Sequence, residues 1–367
     1  MVFCHKYILC RPSSSLVFVP EDIYFYMAAT NNTTRFRSRA HTLSKHTCSA
    51  HTRPTRTPLV MAAASTSLSY GFAVEGTPSF EGHAFENTAA WLRSCPEGAY
   101  TTARTVDKRT LVFEYDAHLK RLVETLSKME ETDVDPETTV YAPEKLEPAV
   151  RACFAAAVNA APLGDGDEGK VTVLCAHGKH AIDAGWCDDG GLAVRAVCER
   201  LPPRPAQPVR AVAFGAPRKN AAAKAVSWVR DREGLEKRKP ADANEVVLVD
   251  DEGRLLEGLS SNFYALYDDG TLHTAPEGMV LGGTVRKVVL EVCEREGIEV
   301  VLEPPSVNDA DRFVAAFVSS TSRLLLPLAK FDIDDKHLQF GDGDGGERAR
   351  QLEKWVLDEV SRCSSSI

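Results

Sequence analysis

The order of apolar and polar residues predicts regular elements from about position 98 to the end of the chain. Residues 98–106 alternate and are rich in β-formers, which predicts a strand, followed by a turn at 107–109 and a returning strand over 110–115. At Asp116 the period changes. Leu119, Leu122, Val123, Leu126 and Met129 mark one face of an amphipathic helix, with Asp116 as its N-cap. A second helix is predicted over 143–160, a polar turn over 164–169 and a strand over 170–176. Beyond residue 191 the pattern predicts strands at 192–198 and 209–215, a helix at 220–237 and a buried strand at 245–250. Extended chain over 254–266 and a strand at 271–274 follow. Val285, Val288, Val289, Val292 and Cys293 share one face of a helix over 284–296, with Gly297 placed to end it. Strands at 298–302 and 313–319 precede a closing helix at 347–362, striped by Leu352, Trp355, Val356 and Val360.

The pattern is a mixed α/β chain in two parts, 70–176 and 192–362. Residues 177–191 lack any apolar period and are taken as the linker. The proline-rich stretch 201–208 is the competing joint. The first is preferred because 192–198 and 209–215 read as neighbouring strands of one sheet.

Residues 1–65 differ from the rest and are set apart as a leader. Between Met27 and Ala64 there are six Arg/Lys, eleven Ser/Thr and no acidic residue. Such a stretch buries little apolar surface and has the composition of an organelle transit peptide, against a disordered tail with no address; plastid residence is the expectation, with mitochondrial or cytoplasmic residence as the alternatives. The remainder carries 35 basic and 50 acidic residues, a net charge of −15. That balance lacks the basic footprint of nucleic-acid binding. No run approaches the roughly 18 apolar residues that mark a membrane span. Ten scattered cysteines without a Cys-x-x-Cys pair argue against a zinc ribbon or a disulfide scaffold. Small-molecule chemistry is the expectation that remains.

Four segments carry candidate chemistry. Lys224 stands in an alanine-rich helix start able to desolvate its amine and leave it nucleophilic. Glu257 lies 33 residues later at the end of an apolar strand, where a buried carboxylate needs a cation or donor. Gly282 and Gly283 run into a helix with Thr284 as N-cap, which leaves backbone N–H groups free for a phosphate. Residues 319–323 form a hydroxyl-rich turn that offers side-chain donors to the same anion.

In order and spacing from His118 to Arg323 these segments, with His118, Arg121 and Leu122 upstream, resemble the class IV pyridoxal-phosphate enzymes. That family comprises branched-chain aminotransferases, D-amino acid aminotransferases and aminodeoxychorismate lyase. The resemblance implies fold type IV: a smaller N-terminal α/β domain and a larger domain with a pseudo-barrel of strands. It further implies a homodimer, pyridoxal 5'-phosphate as cofactor, and amino-group transfer between an amino acid and a 2-oxo acid through a Lys224 Schiff base. By position, Glu257 would face the pyridine nitrogen. Arg121, Thr284, Val285 and Thr321 would hold the phosphate. Tyr100, Thr102 and Arg104, on one face of their strand, would line the substrate pocket. Arg323 suits either a substrate carboxylate or a turn cap.

The chain also departs from the family. Ser227-Trp228 stands where many relatives have Asn-Tyr, and Thr101 where many aminotransferases have Glu. The 99–104 run and the Lys-to-Glu interval look more like the lyase branch, whereas 224–236 resembles plant-type D-amino acid aminotransferase-like members. Aminodeoxychorismate lyase and a non-catalytic descendant are therefore the alternatives. His177 and His180, near Cys175 and Cys187, do not make a metal site by spacing alone.

Overall fold

The computed structural model describes residues 70–74, 77–78, 85–129, 139–341 and 343–366. The basic leader expected over 1–65 lies outside them. In chain order the first part comprises β1 (Tyr70–Val74), β2 (Thr77–Pro78), α1 (Thr88–Ser94), β3 (Ala99–Val106), β4 (Leu111–Phe113), α2 (Tyr115–Met129), α3 (Pro143–Ala160), β5 (Gly169–Ala176), α4 (Gly178–Asp183) and β6 (Ala193–Arg200). The apolar stripe of α2 packs as its period predicts. Leu122, Val123 and Leu126 join Val150, Cys153 and Phe154 of α3 against Val171 and Val173 of β5.

The second part comprises β7 (Arg210–Ala213), α5 (Val226–Asp231), α6 (Glu233–Arg238), β8 (Glu245–Val249), β9 (Leu255–Gly258), β10 (Asn262–Tyr267), β11 (Leu272–His273), α7 (Thr284–Glu296), β12 (Val300–Val301), β13 (Phe313–Ser320), β14 (Leu324–Pro327), β15 (Lys330–Ile333), β16 (Lys336–Gln339) and α8 (Asp344–Glu359). A last strand, β17 (Ser364–Ser366), returns to the first sheet beside β4. The sheets run β17-β4-β3-β5-β6-β1-β2 and β12-β11-β10-β9-β8-β7-β15-β16, with β13 pairing β10 and β14.

Strand β10 shows why the second sheet reads as a continuous apolar run. Tyr264 and Leu266 pack into a core with Val285, Val288, Val289 and Val292 of α7 and Leu352 and Val356 of α8. Phe263, Ala265 and Tyr267 on its other face belong to a second core with Phe331 and Val318. A strand buried on both faces has no polar side to alternate with.

Several expectations are corrected. Strand β6 pairs with β5 over its full length, Gly169 opposite Arg200 through Ala176 opposite Ala193. Residues 193–200 thus belong to the first sheet. The chain changes sheets in the proline-rich 201–208, and 177–191 is a connection within the first part that includes α4. Backbone pairing decided this, and composition cannot register it. Helix α2 starts at Tyr115, so Asp116 lies in its first turn. Gly283, not Thr284, is the N-cap of α7. The single helix expected over 220–237 is instead two short ones, α5 and α6, with Lys224 ahead of both. Among the described residues no helix is long and apolar enough to cross a membrane.

Candidate active site

Lys224 lies outside any helix and Ala225 is extended and bridged to Ala99 despite the alanines around them, because the start of β3 offers a hydrogen-bonding edge. Tyr100 N–H donates to the Lys224 carbonyl at 3.0 Å and Val226 N–H to the Gly98 carbonyl at 3.1 Å. The Lys224 N–H donates to Thr125 Oγ1 of α2 at 3.2 Å. Tertiary pairing here outweighs helix propensity. The lysine side chain faces a cavity of about 450 Å³, with Nζ 4.9 Å from the centre of the Tyr100 ring. Burial, then Arg121, Arg218 and Arg232, pushes its pKa well below the usual lysine range, with Glu257 opposing. These influences favour the uncharged amine, the form with a free electron pair.

Glu257, on β9, lines the same cavity. Its Oε1 accepts from Arg218 Nε at 2.7 Å and its Oε2 from the Leu281 N–H at 3.0 Å. The Arg218 and Glu257 side chains are 5% and 7% exposed, so the pair is desolvated. Burial raises the Glu257 pKa, and Arg218, the Leu281 N–H and Lys224 oppose it. Trp228 packs beside Arg218. Arg218 stands over its indole ring, 5.6 Å from the centre, and the indole N–H donates to the Leu259 carbonyl at 3.0 Å. The Trp at the position of the family's Tyr therefore has packing of its own.

A third group of residues forms an anion cradle. No side chain caps the start of α7, and Thr284 and Val285 line the cavity with Ser320, Thr321 and Ser322. The first N–H groups of a helix have no acceptor within it. Thr284 Oγ1 and Thr321 Oγ1 lie 3.5 Å apart. Gly283 is required by close approach: a Cβ there would run into Asn262 Oδ1, whose amide nitrogen donates to the Leu281 carbonyl at 2.7 Å. Arg121 enters from α2. Its Nη2 donates to Thr101 Oγ1 at 2.7 Å and lies 3.0 Å from His118 Nδ1, while its buried Nε has no partner in the protein. Burial pulls the Arg121 pKa down to about 10, a cost that an anionic ligand would offset. His118 is held neutral by burial, with Arg121 and Lys224 adding to the effect. It accepts from Thr101 or Arg121 at Nδ1, which assigns its proton to Nε2. Thr101, where many aminotransferases carry Glu, links β3 to this pair. Lys287 of α7 and the buried Glu114 preceding α2, 3.0 Å apart, clamp the two helix starts together.

Of the residues singled out from sequence, Lys224, Glu257, Arg121, Thr284, Val285, Thr321, Tyr100, Thr102 and Arg323 all line this cavity. Arg104 does not. It lines an adjoining hollow with Glu168, Arg200 and Arg204, because two residues along β3 advance the chain about 7 Å. Arg323 lines the cavity, but its guanidinium is already committed. It donates to Glu245 Oε2 at 2.5 Å, Ser320 Oγ at 3.1 Å, Ser260 Oγ at 3.1 Å and the Asn244 carbonyl at 3.3 Å. Of its two sequence readings, the structure supports the cap.

Burial alone would raise the Glu245 pKa, but Arg323, followed by the Ser261 hydroxyl and the Val246 N–H, leaves it lowered. The pair therefore stabilises the fold at neutral pH, and this contribution fades as pH falls through the carboxylate range. Arg323→Ala is expected to cost about 3–5 kcal/mol of stability in urea unfolding at pH 7, the penalty for stranding a buried charge. The loss should shrink at pH 4. An undiminished loss at pH 4 would contradict the charge-pair account.

Arg218 and Lys170, which also line the cavity, were not found from sequence. Arg218 lies six residues before Lys224, in a stretch with no period, and its partner is 39 residues away. No local signal marks such a pairing. His177 packs on the Tyr141 ring at 5.0 Å, and His180 is exposed.

The family model for amino-transferase class IV matches residues 98–331. A D-alanine aminotransferase of Staphylococcus haemolyticus is 37% identical over 110 residues, 30% of this chain and 37% of that protein. The chain spans less than half the length of the curated relatives it matches. Among solved structures, a hypothetical aminotransferase from Mycobacterium tuberculosis in its PLP-bound form aligns with TM-score 0.59 and 18% identity over 80% of this chain and 99% of that one. A branched-chain aminotransferase from Thermoproteus uzoniensis with norvaline aligns with TM-score 0.58 and 20% identity, over 81% and 98%. The mixed α/β architecture with two sheets is that of fold type IV.

Proposed function

The chain belongs to the class IV aminotransferase family, and from that premise we propose that it is a pyridoxal-phosphate-dependent aminotransferase, moving an amino group between an amino acid of D- or branched-chain type and a 2-oxo acid. The observation that carries the reading is the convergence on one cavity of a lysine whose pKa is pulled down, a buried carboxylate and an uncapped helix start beside an arginine whose buried Nε has no partner in the protein.

The residues present fit the cofactor. Bound pyridoxal phosphate supplies an aldehyde that condenses with amines and a ring that accepts the electron pair left when a bond at Cα breaks. Arg121, the α7 N–H groups and Thr321 would bind its phosphate, since a helix start and a guanidinium both favour an anion. Glu257 would hold a proton on the ring nitrogen. Lys224 Nζ would be the base that moves the Cα proton. Tyr100 and Thr102 would shape the substrate side. The family resemblance further supports a homodimer, and the acid-free composition of 27–64 supports plastid delivery. Sedimentation of the purified protein and a fluorescent fusion of residues 1–65 test these two points.

The test of function is the visible spectrum of the cofactor-loaded protein during addition of L- and D-amino acids without an oxo acid. A transaminase loses its absorption band stoichiometrically and regains it on addition of a 2-oxo acid. Continuous turnover with no oxo acid present would instead identify an eliminating lyase and refute the proposal.

A further inference from the structure

Arg218 touches both ends of the candidate site. Its Nε donates to Glu257, while Nη1 donates to the Ala223 carbonyl at 3.2 Å and Nη2 to the Ala221 carbonyl. Those carbonyls lie one and three residues before Lys224, on a segment with no helix or strand of its own. A guanidinium is planar and rigid, so the positions of its three acceptors are coupled through one plane. Resting on the cofactor reading above, we propose that Arg218 is a positioning residue: one fork holds the Glu257 carboxylate as an anion and sets its distance from Lys224.

The charges around the site explain why a cation is needed there. Burial pushes Glu257 toward its protonated form, and Arg218 is the largest influence opposing this. A protonated Glu257 would have no negative charge to stabilise a charged ring nitrogen. The pair is desolvated, its side chains 5% and 7% exposed, which strengthens the interaction and enlarges the effect of losing it.

The experiment uses full-length apoprotein and two probes, pyridoxal phosphate and its analogue with CH in place of the ring nitrogen. Calorimetry gives the ratio of their Kd values. Borohydride reduction followed by intact-mass measurement gives the rate at which pyridoxal phosphate attaches to Lys224. Wild type is expected to favour the nitrogen-bearing probe. In Arg218→Ala that preference should fall at least about tenfold, the scale of one charged hydrogen bond, and attachment should slow by a similar factor. Arg218→Lys keeps a charge but not the fork. It should retain the preference within about twofold while attaching about tenfold more slowly.

A wild-type preference in Arg218→Ala, wild-type attachment in Arg218→Lys, or no preference in wild type overturns the proposal. The Lys variant still decides the matter should the Ala variant not fold. No attachment of pyridoxal phosphate to wild-type Lys224 would instead remove the functional reading itself.

Discussion

Lys224→Ala is expected to fold, to lose all borohydride-fixed cofactor, and to lower amino transfer by at least about ten-thousandfold. The size follows from removing both the group that captures the cofactor and the base at Cα, the latter alone accounting for about a hundredfold to ten-thousandfold. The same substitution should make the apoprotein more stable at neutral pH. In the fold burial and three arginines pull the Lys224 pKa well below its usual value, whereas in the unfolded chain the amine binds a proton below about 10.5. Folding must therefore release that proton. The cost is fully present below the depressed folded pKa and is relieved as pH rises toward the unfolded value. Urea unfolding of the two apoproteins between pH 7 and pH 10 checks this. The stability advantage of the variant should shrink as pH rises, and an advantage independent of pH would show that the lysine is not desolvated as described. An advantage that shrinks with pH would show that stability is given up locally to make a reactive amine.

Glu257→Ala carries the second large effect, on stability as much as on activity. It strands Arg218, whose side chain is 5% exposed. Breaking one side of a buried ion pair costs about 3–5 kcal/mol. Glu257→Gln keeps the shape and one acceptor oxygen, so its stability loss should be smaller. Its amide carries no negative charge to hold a proton on a ring nitrogen. Turnover in Glu257→Gln is expected to fall at least about a hundredfold, the size found for removing one preorganised partner of a developing charge. Single-turnover rates on cofactor-loaded protein, alongside urea unfolding, separate the two losses. A Gln variant with near-wild-type single-turnover rate would exclude Glu257 as the partner of the ring.

Much of the fold was legible because burial follows period. The stripes of α2, α7 and α8 join the cores their spacing predicts, and Gly297 ends α7 in the left-handed region at φ 74°. The helix around Lys224 was misread because alanine favours helix wherever nothing competes, and here the edge of β3 competes. The joint between the two parts was misread because 193–200 and 210–213 look alike in composition, although one pairs with β5 and the other with β8.

The division within the site has the same origin. Residue types and their order along the chain were enough to nominate Lys224, Glu257, Arg121 and the α7 start, since an amine, a carboxylate and free N–H groups have recognisable local settings. Tertiary structure alone decided which charges are spent on one another, Arg323 on Glu245 and Arg218 on Glu257, and that Arg121 has only the uncharged Thr101 and His118 as hydrogen-bond partners. Coulomb and hydrogen-bond energies depend on distance through space, and groups 39 or 78 positions apart in sequence stand within 3 Å here.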